Sequence, residues 1–222
     1  MTEIIRAEPA DAEVLSAVIA EAFFDLPPSR WLISDEASRR DIFPAYFRIL
    51  VEHALAHGIV HTTPDRAAAA LWIPVGEGPP APPERYPERL REVTTPWTTR
   101  FTEFDAALDS RHPAGAAHHH LAMLGVWPGA QGRGLGTALL RHHHDELDQA
   151  GVPAYLEAAS QRTRRLYRRH HYADLGPPIC LPDGPQMFPM LRRADPAVTS
   201  SSTCDRPGAR WPPSGRTPRP PR

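Results

Sequence analysis

The chain has 222 residues, and a domain usually takes about 100–200 residues, so the length predicts one domain with a terminal extension. Apolar residues make up 41% of the sequence, which is enough for one substantial hydrophobic core. The formal net charge of −1 gives no bulk electrostatic reason for nucleic acid or an acidic surface to be the partner.

The N-terminal half is predicted to contain two helices and two antiparallel strands. A short strand at residues 3–7 precedes a helix that starts at Asp11 and ends at Leu26-Pro-Pro-Ser. The second helix runs from about Glu36 to His57, and Gly58 is placed where a helix takes its C-terminal glycine. Strands are predicted at 59–63 and 67–75, on either side of a Pro-Asp turn.

The C-terminal half is predicted to alternate helices and strands. A Gly- and Pro-rich loop at 76–83 leads into a helical region at 84–109, interrupted near Pro96. The later elements are a strand at 118–127, a helix at 134–150, a strand at 152–157, a helix at 161–171 and two strands within 172–180 and 186–191.

The last residues differ in composition from the rest of the chain. They are rich in Pro, Arg and Ser and almost without aliphatic side chains, so they cannot offset the entropy of ordering. We predict a folded domain over residues 1–193 and a disordered tail over 194–222. Cys204 lies in that tail, so we expect no structural disulfide with Cys180 and a reducing compartment.

Two further features bear on location. The N-terminus has no apolar segment typical of a secretory signal, and no stretch approaches about 18 consecutive apolar residues. We therefore expect a cytoplasmic protein, without a membrane partner, that is a monomer or a homodimer.

The most informative segment joins the strand at 118–127 to the next helix. Its glycines at 132, 134 and 136 let backbone N–H groups approach a ligand, and the first helical turn adds unpaired donors and a positive dipole end. Thr137 offers a hydroxyl and Arg133 a charge, so the segment predicts a phosphate or diphosphate site. A dinucleotide fold would place this loop after a first strand, and a P-loop would need Gly-Lys-Ser/Thr. On the loop alone, an ordinary glycine-containing turn stays open.

The surrounding motifs resemble those of the GNAT (Gcn5-related) N-acetyltransferases. Gln131-Gly-Arg-Gly-Leu-Gly resembles their diphosphate motif, and Leu166-Tyr-Arg-Arg-His-His-Tyr resembles a second signature of the family. The resemblance covers about residues 1–193 and is closest to puromycin-N-acetyltransferase-like enzymes, through the segments 22–30 and 150–157. It implies an α/β (α+β) fold, with a mixed, mostly antiparallel sheet of six to seven strands flanked by helices. The sheet would splay between its fourth and fifth strands to admit pantetheine.

The resemblance also implies acetyl-CoA as co-substrate and assigns its binding residues. Leu124 and Val126 would bind pantetheine through their backbone, and Thr163 stands where the family has an asparagine that contacts the cofactor. The diphosphate would lie against the glycine loop, at Gln131, Gly132, Arg133, Gly134, Gly136 and Thr137. Tyr167 would protonate the departing thiolate, for which a phenol with an ordinary pKa of about 10 is suited. His171 replaces the signature's glycine.

Other candidate residues are less specific. Glu157 is a candidate base that acts through water, although pairing with an arginine explains it equally well. The candidate acceptor-binding residues are Asp25, Arg30, Trp31 and His120, and packing explains Trp31 equally well. Histidines at 118–120, 142–144 and 170–171 are consecutive and fan out within each run, so we expect no metal site.

The predicted function is transfer of acetyl from acetyl-CoA to a primary amine of a small molecule. An aminonucleoside-type antibiotic is one candidate acceptor, which would make the chain a resistance enzyme. Two alternatives stay open: acetylation of a protein N-terminus or lysine, and a non-catalytic module that binds acyl-CoA.

Overall fold

The computed structural model describes residues 2–76, 78 and 80–195. Eight strands and seven helices follow one another along this part of the chain. They are β1 (Ile5–Arg6), α1 (Ala12–Phe23), α2 (Pro27–Leu32), α3 (Glu36–His57), β2 (Ile59–Thr62), β3 (Ala68–Val75), α4 (Tyr86–Thr94), α5 (Thr98–Asp109), β4 (His118–Val126), α6 (Leu135–Ala150), β5 (Ala154–Ala158), α7 (Gln161–Arg168), β6 (Ala173–Asp174), β7 (Ile179–Cys180) and β8 (Gln186–Arg192).

The strands form one sheet in the order β1-β2-β3-β4-β5-β8-β6, and β7 also pairs with β8. Each pairing is antiparallel except that of β4 with β5. This parallel pair spans only two registered positions, His119 with Ala154 and His120 with Tyr155, and the strands separate beyond them. The predicted mixed, mostly antiparallel fold is confirmed, with eight strands in place of six or seven because β6 and β7 are two-residue strands.

Helices cover both faces of the sheet and divide the core in two. One cluster packs α1, α3 and α5 against the sheet and includes Leu15, Ile19, Phe43, Phe47 and Phe101. The other packs α6 and α7 against the opposite face and includes Trp72, Leu139, Leu140, Leu156 and Tyr172. Burial of each such side chain stabilises the fold by roughly 1.5–3 kcal/mol.

At two helix ends the predicted boundary holds, but the physical reason for it differs from the one predicted. Pro27 and Pro28 do not simply end a helix; they occupy the first turn of α2, where a missing N–H costs nothing. Gly58 ends α3, but its φ of −126° is ordinary extended backbone. Glycine is required there because a Cβ would lie 2.3 Å from the carbonyl oxygen of Trp72.

The segment after α7 also differs from expectation. The helix ends at Arg168, three residues before the predicted end at 171. His171 takes a left-handed φ of +65°, a conformation that costs a side-chain-bearing residue about 1–2 kcal/mol. The turn expected of the signature's glycine is therefore kept with histidine in its place.

Near the predicted domain boundary, the backbone N–H of Asp195 donates to the Asp148 carboxylate at 2.7 Å. Of the predicted disordered tail, residues 196–222 lie outside the described residues, as does Cys204. None of the described helices combines the length and the apolar character that crossing a membrane requires.

Candidate active site

A groove of about 650 Å³ lies beside the end of β4. It is bounded by the end of α1, the end of β4, the start of α6 and one face of α7. Ten of the residues predicted from the sequence line it together: Asp25, Leu124, Val126, Gln131, Gly132, Gly134, Gly136, Thr137, Thr163 and Tyr167.

The glycine loop presents backbone to this groove. Gly132 and Gly134 have φ of +77° and +81°, and a Cβ at either position would meet nothing within 4 Å. Gly134 is the N-cap of the 16-residue helix α6, whose first N–H groups have no intrahelical acceptor. Gln131 Nε2 donates to the carbonyl of Val126 at 3.2 Å and so fixes the loop to the end of β4. The loop thus combines open space, unpaired donors and the positive end of a helix dipole.

Helix α7 forms the opposite wall of the groove. Ser160 caps it, because Thr163 N donates to Ser160 Oγ at 3.2 Å and Ser160 N donates to Thr163 Oγ1 at 3.0 Å. The Thr163 hydroxyl therefore accepts a hydrogen bond at the N-terminus of α7, and Thr163 also lines the groove. Arg162 and Arg169 also line the groove, which the sequence analysis did not single out. Their i, i+7 spacing would have indicated a shared helix face.

Tyr167 lies on the same face of α7 and is 8% exposed. Its ring packs edge-on against Tyr172, with 5.7 Å between centroids. Burial raises the pKa of Tyr167 well above its ordinary value, so the phenol stays protonated at neutral pH. Among the residues that the structure describes, none accepts a hydrogen bond from its hydroxyl, which leaves that donor available to a ligand in the groove.

Glu157 and His120 form a pair outside the set that lines the groove. His120 Nε2 lies 2.9 Å from Glu157 Oε2, and the Glu157 side chain is 6% exposed. Burial alone would raise the pKa of Glu157, but the charge and hydrogen bond of His120 outweigh it and hold the pKa below its usual value. The pair lies on the α1 and α5 side of β5, because Leu156 and Ala158 face α6 and α7.

Two residues beside this pair were missed by the sequence analysis. The His112 ring lies 4.9 Å from that of His120, and His112 Nε2 lies 3.0 Å from His118 Nε2. Burial and the charge of Glu157 raise the pKa of Asp109. Asp109 is the last residue of α5 and His112 follows the helix, and no local pattern indicates that this part of the chain reaches β4 and β5.

Three further predicted residues also stand outside the groove. Trp31 is buried, its Nε1 donates to the Pro182 carbonyl at 2.9 Å, and it acts as a packing residue. Arg30 pairs with Asp25 at 3.0 Å, and Arg133 is exposed.

Histidines from different elements lie close together, although their spacing along the sequence predicts no such cluster. The prediction considered each run alone, whereas the structure brings together side chains of separate elements. Two such groups occur in the described part of the chain, His61 with His143 and Glu146, and His112 with His120 and Glu157. Convergence alone is not evidence of a bound metal.

Comparisons with known proteins agree with this architecture. Residues 103–174, which include β4, the glycine loop, α6 and α7, match the family model of the acetyltransferase (GNAT) domain. A structure of histone acetyltransferase HPA2 and related acetyltransferase from Corynebacterium glutamicum is similar at 24% identity, with a TM-score of 0.66, over 88% of this chain and 99% of that chain. A GNAT-family protein from Desulfovibrio desulfuricans is similar at 17% identity and a TM-score of 0.53, over 88% of this chain and 100% of that one.

Arylalkylamine N-acetyltransferase 2 from Aedes aegypti is similar at 12% identity and a TM-score of 0.56, over 87% of this chain and 99% of that one. At these identities the likeness shows the fold. The chain therefore has the GNAT fold, and its residues 103–174 match the family model of the GNAT acetyltransferase domain.

Proposed function

We propose that the chain transfers acetyl from acetyl-CoA to a primary amine of a small molecule. The observation that carries this proposal is the groove at the end of β4, which joins an open helix N-terminus to a buried, protonated tyrosine. The helix N-terminus suits the diphosphate of acetyl-CoA, and the tyrosine suits the thiolate that departs from the acetyl group.

The donor would lie along the separated strands. Beyond His120, β4 has no further registered partner on β5, so its backbone groups can pair with the amides of pantetheine as a neighbouring strand would. The diphosphate would meet the first turn of α6, with Arg162 and Arg169 supplying positive charge from α7. These cationic features would stabilise an anionic group in the groove.

The chemistry needs one proton taken from the amine and one given to sulfur. An ammonium acceptor first loses a proton to the His120–Glu157 pair, directly or through water, and Glu157 stabilises the resulting imidazolium. The amine then forms a C–N bond with the thioester carbon while the C–S bond breaks. Tyr167 donates its proton to the leaving thiolate, and the second proton that the new amide nitrogen releases restores the phenol through solvent, so that the net proton released is the one taken by the His120–Glu157 pair.

The charges near the groove favour a cationic acceptor. Asp109 and Glu157 place carboxylates beside His120. Glu21 and Asp25, at the α1 end of the groove, are by contrast each paired with an arginine. An aminonucleoside, an arylalkylamine and an aliphatic diamine all meet this requirement as small primary amines.

The test is an assay of CoA release and product mass with a panel of acceptors. The panel contains an aminonucleoside, an arylalkylamine, an aliphatic diamine, a peptide N-terminus and a lysine peptide, each with acetyl-CoA. We expect acetylation of at least one small primary amine and of neither peptide. Acetylation of peptides alone would instead favour a protein acetyltransferase. Binding of acetyl-CoA without transfer to any amine would favour the non-catalytic module.

A further inference from the structure

A cluster of three side chains joins β2 to α6, away from the groove. It consists of His61 from β2 with His143 and Glu146 from α6, and one donor atom of each lies within 4.8 Å of the others. None of the three lines the groove. His61 and His143 are buried, whereas Glu146 is exposed and opens the cluster to solvent.

The two buried imidazoles have unpaired nitrogens. Nδ1 of His61 and Nδ1 of His143 have no hydrogen-bond partner among the described residues. His143 Nδ1 lies 3.2 Å from Glu146 Oε2, but the contact lacks hydrogen-bond geometry. Leaving a buried polar atom unpaired costs about 1–3 kcal/mol. Each of these two buried nitrogens is therefore open to a further partner.

The position of the His143 ring is fixed independently of that partner. The ring stacks on Trp72 with 4.2 Å between centroids, and its Nε2 lies 2.9 Å from Nδ1 of His119. When His143 Nε2 donates its proton to His119, the Nδ1 lone pair points into the cluster. Histidines that bind metals are commonly held in this way, with the second nitrogen bonded to an orienting group.

We propose that His61, His143 and Glu146 bind a divalent transition metal of the Zn²⁺ class. Two imidazoles and a carboxylate are donors that Zn²⁺ accepts, with water in the fourth position of a tetrahedron. The ion would fasten β2 to the middle of α6, the helix whose first turn forms the groove. Its role is structural.

Protonation does not oppose this site at neutral pH. Burial, together with neighbouring charges, lowers the pKa of His61 to about 4 and that of His143 to about 2, so both imidazoles are neutral ligands. Arg6, whose charge acts on His61, turns its guanidinium to the Gly58 carbonyl at 2.9 Å.

The second converging group is a weaker candidate because its nitrogens satisfy one another. His120 Nε2 is bonded to Glu157, and His112 Nε2 is bonded to His118. That group keeps the acid–base role proposed above, and it supplies a control.

The experiment uses the full-length chain without a histidine tag, stripped with EDTA and dialysed. Co²⁺ titration should show one equivalent with the absorption of a tetrahedral site, and Zn²⁺ should raise the melting temperature. Glu146→Gln and His61→Ala should each weaken Co²⁺ binding at least about 10-fold, since loss of an orienting partner alone typically costs 10–100-fold. Glu146 is exposed, so its variant tests the site without disturbing the core.

Two variants serve as matched controls. Asp145→Asn removes the neighbouring exposed carboxylate of α6, and His112→Ala disrupts the other group; both should bind Co²⁺ as the unaltered chain does. The proposal is overturned if the chain binds no Co²⁺, if Glu146→Gln binds it undiminished, or if His112→Ala abolishes binding.

Discussion

Tyr167 has the position and the available proton that a donor to sulfur requires, while burial makes it a weaker acid than the ordinary phenol expected from the sequence. It lies on the face of α7 that borders the groove, burial keeps its phenol protonated, and no described residue competes for its proton. Its ring is held by the core, as the edge-on contact with Tyr172 shows. Removing only the hydroxyl would therefore leave the packing in place.

We expect Tyr167→Phe to lower the rate of acetyl transfer by roughly 10²–10⁴-fold, the usual contribution of a general acid. Affinity for acetyl-CoA should change little, because the ring stays in place. Single-turnover rates are the measurement, since they isolate chemistry from product release. A near-normal single-turnover rate would mean that water or another group protonates the thiolate.

A candidate site residue could be predicted from the sequence when its motif lies within one short segment of the chain. The glycine loop and Tyr167 are recognised from spacing within one strand–loop–helix or one helix, and the structure gathers them at one groove. His112 and Asp109 could not be found in this way, because only the tertiary fold brings the end of α5 and the residues after it to β4 and β5. The convergence of His61 with His143 was missed for the same reason.

At the scale of elements, α6 is the part on which the site depends. Its N-terminus forms the groove, and its C-terminal turn is fixed by a buried ion pair between Asp148 and Arg192 of β8, with oxygen–nitrogen distances of 2.6 and 2.8 Å. Burial opposes ionisation of Asp148, but the hydrogen bonds from Arg192 and the Asp195 backbone, together with the neighbouring positive charges, outweigh it and lower the pKa of that carboxyl. The pair fixes α6 to the strand next to β5.

Asp148→Asn should lower the free energy of unfolding by about 3–5 kcal/mol, because Arg192 would keep a buried charge without its counter-ion. Asp25→Asn is the matched control: it breaks an exposed pair with Arg30, worth about 0–1 kcal/mol. Urea denaturation of both variants gives the comparison. Similar losses in the two would show that the buried pair does not stabilise α6.

Long elements with a clear apolar period were predicted well, and short ones were not. Strands β2 to β4 and the helices α3 and α6 lie where the sequence predicts them, within one or two residues. Helix α2 was missed because Pro27 and Pro28 indicate a break as readily as a helix start. The two-residue strands β6 and β7 have no periodicity of their own and depend on pairing with β8.

At the scale of the molecule, neutral buried histidines are concentrated in the layer between the sheet and α6. Burial is the main cause that lowers the pKa of His61 to about 4, of His143 to about 2 and of His144 to about 3. In the unfolded chain each would titrate near 6.5. The unfolded state therefore binds more protons than the folded state throughout the range from about pH 6.5 to pH 4.

Stability should accordingly be complete above about pH 6.5 and fall as the pH drops below it. Each of the three histidines contributes a slope of up to about 1.4 kcal/mol per pH unit. Urea midpoints measured between pH 8 and pH 4.5, with EDTA present to exclude metal, would show this loss. Midpoints that stay constant down to pH 5 would mean that these histidines are protonated in the folded state.

The central proposal is that acetyl-CoA binds in the groove, and Gly136 is the most suitable position at which to test this binding. Substitution of Gly134 would strain a left-handed backbone, whereas Gly136 is helical, and its Cβ would lie 3.7 Å from Leu124 and 3.8 Å from Val126. A leucine there fills the groove without a backbone penalty, and an alanine adds one methyl group at ordinary contact distance.

Isothermal titration calorimetry with acetyl-CoA should show one site on the unaltered chain. Binding should be retained in Gly136→Ala and lost in Gly136→Leu, with circular dichroism melts confirming that both variants are folded. Undiminished affinity in a folded Gly136→Leu variant, or no binding to the unaltered chain, would contradict the account.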